Sequence, residues 1–256
     1  MPINITKLDG SREPFNAEKI NQAIASACAD LDDPAAKIMQ IATETELALY
    51  DGISTKELDQ AVIGAAVQNI KDDPDFDTVA ARLSLKLIYK EVLGDFKDEA
   101  DLKAKHRDGF AKYVASGLDS GILSAELKAF DLDKLAETID ISRDSLFTYT
   151  GLSTLKHRYL IKGETQALLE TPQYFWMRLA MGLSYMEPNP TDMAKRFYDK
   201  MSRLEYVPGG STNINAGTSR PRLSNCFILD MEDSIDHIGK TVSDVMKLSK
   251  ATGGIG

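Results

Sequence analysis

The sequence predicts a mostly helical α/β chain: a β-hairpin packed on four helices, a longer helical segment, and a strand that opens a second α/β unit. Three observations carry that prediction. Asp9-Gly10 sits between two short extended segments, which is a strong two-residue hairpin signal. Residues 16–94 hold four stretches with apolar residues at helical spacing, punctuated by capping and stop signals. The run 204–229 crowds glycine, serine, threonine and asparagine into one irregular loop and turns apolar from Cys226.

Ile3 to Lys7 and Arg12 to Phe15 are the hairpin strands. Asn16 caps a first helix in which Ile20, Ala23, Ile24, Ala27 and Leu31 share a face, with Cys28 beside the stripe as a structural cysteine. Asp33-Pro34 restarts a helix, aspartate as cap and proline at its first position, and that helix ends at Tyr50-Asp51-Gly52. Ser54-Thr55-Lys56-Glu57 fits a capping box ahead of Leu58, Val62, Ala65, Ala66 and Ile70. Beyond Pro74 a fourth helix runs from Thr78 to Leu93, with Gly94 as its stop. Residues 95–140 are charged and read as several short amphipathic pieces forming a connector with no site of its own. The next helix opens at Glu170-Thr171-Pro172-Gln173 and spaces Phe175, Leu179 and Leu183 for burial. Its Arg178 is either a buried partner or a snorkelling charge. A further helix spans Asp192 to Leu204 with Met193, Phe197, Tyr198 and Met201 inward.

The 256 residues suffice for one large or two modest domains, and 43% apolar with 27% charged residues is ordinary for a globular protein. A net charge of -9 argues against binding nucleic-acid backbones, while leaving nucleotides open. Cys28 and Cys226 have no metal-ligand spacing and the three histidines are scattered, so no metal is expected in this chain. There is no signal peptide and no apolar run of membrane-span length, and the cysteine usage suits a reducing cytoplasm.

Several residues are suited to chemistry. Lys7, Lys19, Thr55 and Lys90 are the right types to hold a triphosphate, although isolated lysines are mostly solvated surface charges. The 204–229 run reads as a polar, phosphate-friendly loop that delivers the Cys226 thiol to Cys-Phe-Ile-Leu, an expected buried strand. The competing reading is a long surface loop followed by an ordinary core cysteine. Asp233 and Ser234 precede an apolar periodic segment, Ile238 to Leu248, and so suit a helix cap. Gly253-Gly254-Ile255-Gly256 reads as a turn whose amides approach a diphosphate. A glycine-rich turn is an unusual place for a domain to finish, and a split or truncated chain is expected.

Three sets of motifs resemble ribonucleotide reductase large subunits. The run from Thr6 to Ile20, the segment Tyr50-Asp51-Gly52-Ile53-Ser54-Thr55, and Ala80-Ala81-Arg82-Leu83 with Lys90 downstream resemble an ATP-cone domain over residues 1–94. That resemblance implies that Lys7, Glu13, Asn16, Lys19, Thr55 and Lys90 surround ATP or dATP; Asp59 stands where some members carry histidine. Arg158-Tyr159-Leu160-Ile161, Glu170-Thr171-Pro172-Gln173 and Arg196-Phe197-Tyr198 resemble, in order and spacing, the helical N-terminal part of the catalytic subunit, here residues 95–204. Residues 205–256 are similar to the start of its ten-stranded α/β barrel, incomplete at this length. The resemblance implies that Thr212 and Ser224 hold substrate with Gly253 and Gly254, that Cys226 is one of two redox cysteines, and that Asp233, Ser234 and Ile235 contact a dNTP specificity effector. It further implies a class I enzyme: thiyl-radical reduction of ribonucleoside diphosphates, a homodimer, a separate metal-containing radical-generating small subunit, and thioredoxin or glutaredoxin as reductant. The second redox cysteine and the radical cysteine would come from the C-terminal remainder of the large subunit. An adenosylcobalamin-dependent class II fragment and a free-standing nucleotide-sensing module are the alternatives.

Overall fold

A computed structural model describes residues 3–7, 10–250 and 253–256. The first elements are β1 (Asn4–Thr6), β2 (Arg12–Pro14), α1 (Ala17–Cys28), α2 (Pro34–Leu47), α3 (Thr55–Asn69) and α4 (Asp75–Leu93). Then follow α5 (Glu99–Asp119), α6 (Leu132–Thr138), α7 (Tyr149–Thr154), α8 (Pro172–Ser184), α9 (Pro190–Ser202) and α10 (Gly210–Asn215). The last are β3 (Cys226–Phe227), α11 (Ile235–Lys250) and β4 (Gly254–Ile255). The chain divides into two compact units, Met1–Glu91 with Phe147–Leu155, and Val92–Leu146 with Lys156–Gly256. Among the described residues no helix is long and apolar enough to cross a membrane.

In the first unit β1 and β2 pair antiparallel, Ile5 opposite Glu13. The expected turn residues Leu8 and Asp9 lie outside the described residues; Gly10, beside them, has the left-handed φ of 81° that favours glycine. The expected caps form. The Asn16 side chain accepts from Glu18 N at 2.9 Å, Asp33 caps α2 ahead of Pro34, and Ser54 and Glu57 complete a reciprocal capping box. The other edge of β1 is tied to the approach to α3, where Thr6 N donates to Ile53 O at 2.9 Å and Gly52 N to Asn4 O at 2.8 Å. That tie brings the hairpin to the N-terminus of α3. The core gathers Ile24, Cys28, Ile41, Ala66, Phe76 and Val79, and a smaller cluster of Ile5, Ile53 and Leu58 lies under the hairpin.

In the second unit residues 99–119 form one 21-residue helix, α5, where the sequence suggested several short pieces. Its buried stripe is Leu102, His106, Phe110, Val114 and Gly117. A histidine and a glycine at core positions hide the apolar period. Helix α8 is buried almost all round, with Tyr174, Phe175, Trp176, Met177, Leu179, Ala180 and Met181 each at most 2% exposed. Arg178 is a buried partner. Its Nε and Nη2 donate to Glu170 at 2.9 Å each, both side chains being fully buried. Glu170 also accepts from Tyr113 Oη at 2.5 Å and Ile161 N at 2.8 Å. Arg178 Nη1 donates to Ala216 O at 2.5 Å, which seats α10 on α8. The seat is close: a Cβ on Gly182 would lie 2.0 Å from Gly217 N.

The loop read as irregular contains α10, with Ser211, Thr212 and Asn213 buried. The expected buried strand is only two residues long. β3 pairs in parallel with β4 alone among the described residues, Cys226 opposite Gly254, with α11 connecting them. Cys226 is exposed and Ile228 is 92% exposed. Four successive apolar residues indicate burial on both faces, but here one neighbouring strand covers one edge and the side chains alternate between half-buried and exposed.

Replacing Arg178 by Met strands a buried carboxylate at Glu170, and urea unfolding is expected to lose about 3–5 kcal/mol. His106 gives a pH signature. Its burial lowers the imidazole pKa from 6.5 to about 3, so between those values the unfolded chain binds a proton that the folded chain does not. Stability therefore falls on acidification through that window, with a slope of about 1.4 kcal/mol per pH unit from this residue. Denaturation series from pH 7 to pH 4 on the native chain and on a His106→Gln variant are expected to show a shallower slope in the variant.

Candidate functional site

The first unit encloses a cavity of ≈ 240 Å³ between the hairpin, α1, α3 and α4. Its apolar lining includes Ile20, Leu58, Val62, Leu83 and Leu87; its polar lining is Glu13, Asn16, Lys19, Thr55, Asp59, Lys86 and Lys90. Five of the six residues expected around a nucleotide thus share one cavity. The sixth, Lys7, reaches it through an ion pair to Glu13 at 2.6 Å; Lys19 lies 3.6 Å from the same carboxylate. The Lys7 hydrogen bond is the main cause that lowers the Glu13 pKa. The fold explains the gathering. Asn16 caps α1 and Thr55 opens α3, so both lie at helix N-termini, and the β1 tie to Ile53 sets the hairpin beside them. A helix start offers unpaired amides and a positive dipole end to an anion.

Asp59 and Lys86 are half-buried members of the lining. Burial raises the Asp59 pKa, with the charges of Lys90 and Lys86 opposing. Burial likewise lowers the Lys86 pKa, Lys90 adding to the effect and Asp59 opposing it. Sequence reasoning missed Lys86. Its signal was present: Leu83, Lys86, Leu87 and Lys90 fall at i, i+3, i+4 and i+7 and so share one face of α4.

In the second unit the 209–225 segment is strapped to itself. Thr212 Oγ1 donates to Leu223 O at 2.9 Å, Asn215 Nδ2 to Arg222 O at 3.1 Å, and Ser211 N to Asn225 Oδ1 at 2.8 Å. A Cβ on Gly209 would lie 2.3 Å from Asn225 Nδ2, so this glycine makes room for the strap. Ser224 and Cys226 are exposed on the segment that leaves it, whereas Thr212 is buried with its hydroxyl committed to the strap. The expected turn at residues 253–256 is instead strand β4, and its amides are already donated. Gly253 N goes to Leu248 O at 3.0 Å, Gly254 N to Asn225 O at 2.8 Å and Gly256 N to Phe227 O at 3.0 Å. Gly254 lies opposite Cys226, and a Cβ placed there would stand 3.6 Å from its sulfur. Asp233, Ser234 and Ile235 sit exposed at the start of α11, where Ser234 Oγ accepts from His237 N at 3.2 Å as a cap. Among the described residues no group of three or more His, Cys, Asp or Glu side chains is arranged to hold a metal.

Three family models match the chain in succession: the ATP cone domain over residues 3–91, the ribonucleotide reductase all-alpha domain over 145–221, and the ribonucleotide reductase barrel domain over 224–256. The chain belongs to the ribonucleotide reductase family. This reductase chain is 40% identical over 256 residues to the ribonucleoside-diphosphate reductase subunit alpha of Chlamydia trachomatis, an alignment that takes in 99% of the chain and 24% of that relative. With the subunit alpha of Helicobacter pylori it shares 33% identity over 99% of the chain and 31% of the relative. With the large subunit of Plasmodium falciparum it shares 32% over 81% of the chain and 25% of the relative. The reductase chain thus spans about a quarter to a third of the length of these relatives.

The two cysteines of the reductase chain differ in access. Cys28 is fully buried, and burial raises its pKa; Cys226 is exposed on β3. An aromatic disulfide reagent is expected to titrate one thiol in the native chain and two after denaturation, and Cys226→Ser to abolish the native signal.

Proposed function

We propose that this chain is part of a class I ribonucleoside-diphosphate reductase large subunit, with an allosteric ATP cone at residues 1–94, a helical region at 95–204 and the start of the catalytic barrel at 205–256. The observation that carries the reading is the convergence of Glu13, Asn16, Lys19, Thr55 and Lys90 on one cavity, inside the segment matched as an ATP cone. Its apolar walls suit a purine, and its lysines and helix starts suit the phosphates of ATP or dATP. In the second unit the thiol of Cys226 supplies one of two reducing equivalents. Reduction of a ribonucleotide at C2′ releases the hydroxyl as water and turns two thiols into a disulfide. Cys28 is no partner for that step, being sealed in the core of the first unit. The second thiol and the radical cysteine belong to the remainder of the large subunit, and the radical to a metal-containing small subunit.

Thr212, Ser224, Gly253 and Gly254 are proposed on the substrate side. Thr212 and the two glycines act there by shaping backbone, since their donors are already engaged. Asp233, Ser234 and Ile235 are proposed to meet a dNTP effector where α11 pairs with its copy in a homodimer; the exposed Ile235, Val242 and Met246 on that helix support this pairing. Thioredoxin or glutaredoxin is the reductant that restores the thiols. Calorimetry of the purified chain with ATP and dATP tests the cone reading. Micromolar binding is expected, weakened about tenfold or more in Lys90→Ala, and a native chain that binds neither nucleotide refutes it.

A further inference from the structure

We propose that Lys86 is a phosphate-binding residue of the first unit's cavity, acting with Lys90 one turn along α4 on a bound nucleoside polyphosphate. The inference rests on the nucleotide reading of that cavity and adds a ligand and a charge distribution to it.

The hairpin side of the cavity is partly neutralised. Lys7 and Lys19 both face the Glu13 carboxylate, at 2.6 and 3.6 Å, so two ammonium groups share one negative charge. The α4 side differs. Lys86 and Lys90 both line the cavity, and neither has an ion pair within 4.0 Å among the described residues. They stand one helical turn apart on one face, about 6 Å along the axis, a separation that lets two ammonium groups grip successive phosphates of one chain.

Lys86 is also poorly placed for a merely structural lysine. Such residues extend to water or carry a partner. Here the side chain is half-buried beside Leu83 and Leu87, with a second ammonium for a neighbour. Burial and Lys90 both disfavour its charge, and Asp59 on α3 opposes them only in part. An anion held between Lys86 and Lys90 removes that repulsion. Asp59 lines the same cavity near both lysines, whose charges oppose the burial that raises its pKa.

Calorimetry with ATP, ADP and adenosine, on the native chain and on Lys86→Met and Lys86→Arg variants, tests the assignment. Lys86→Met is expected to weaken ATP about tenfold and leave adenosine within about twofold, whereas Lys86→Arg, which keeps the charge, stays within about threefold of native for ATP. Lys86→Gln, with a polar uncharged head, serves as the second variant and is expected to show the same ATP-selective loss. Native-like ATP affinity in both Lys86→Met and Lys86→Gln overturns the assignment while leaving the nucleotide reading intact. Equal loss for ATP and adenosine overturns it too, because that pattern means a damaged cavity. A native chain that binds no ATP removes both readings together.

Discussion

The second unit depends on one buried ion pair. Glu170 and Arg178 lose all contact with water, a loss that is costly unless every polar atom is matched. Here it is matched: the carboxylate accepts from two arginine nitrogens, from Tyr113 and from the Ile161 amide, and the guanidinium also reaches Ala216 O. Those partners come from α5, from the segment before α8, from α8 itself and from the end of α10. An apolar pair of similar volume would fill the same space without choosing among positions. The ion pair accepts only an arrangement in which all these groups meet, so it fixes where the glycine-rich segment sits.

From that fixed point the geometry runs outward to the thiol. Gly182 and Gly217 allow α8 and the end of α10 to touch backbone to backbone, and the left-handed φ of 75° at Gly217 turns the chain away. The straps from Thr212, Asn215 and Asn225 then bring the returning segment alongside α10 and release it as β3 with Cys226 at its head. Small polar residues here act mainly on their own backbone. What they place is a thiol on an exposed strand, beside a glycine that leaves space around its sulfur.

The first unit is built on the opposite principle. Its helices close over an apolar cluster and leave a cavity bordering it, next to the hairpin. The charged residues that line the cavity are only partly compensated by one another. Half-buried charges that lack full compensation cost the fold some stability.

By itself the sequence determined the elements and the residue types. The caps at Asn16, Asp33 and Ser54, the hairpin and the apolar helix at 172–184 are local, and short-range hydrogen bonding and periodicity suffice to specify them. The motif series also pointed to the family and to most of the cavity's polar lining. Tertiary structure decided what depends on neighbours distant in sequence. Arg178 was ambiguous until Glu170, Tyr113 and Ala216 surrounded it, and α5 was hidden because His106 and Gly117 occupy core positions that only a tertiary partner makes apolar in effect. Cys226 read as buried from four consecutive apolar residues, yet burial is a property of what covers a strand, and here a single parallel neighbour pairs with it. Lys86 joined the cavity for the same reason: the sequence placed it on the face of Lys90, but only the packing of α4 against α1 and α3 turned that face toward the space a ligand would fill.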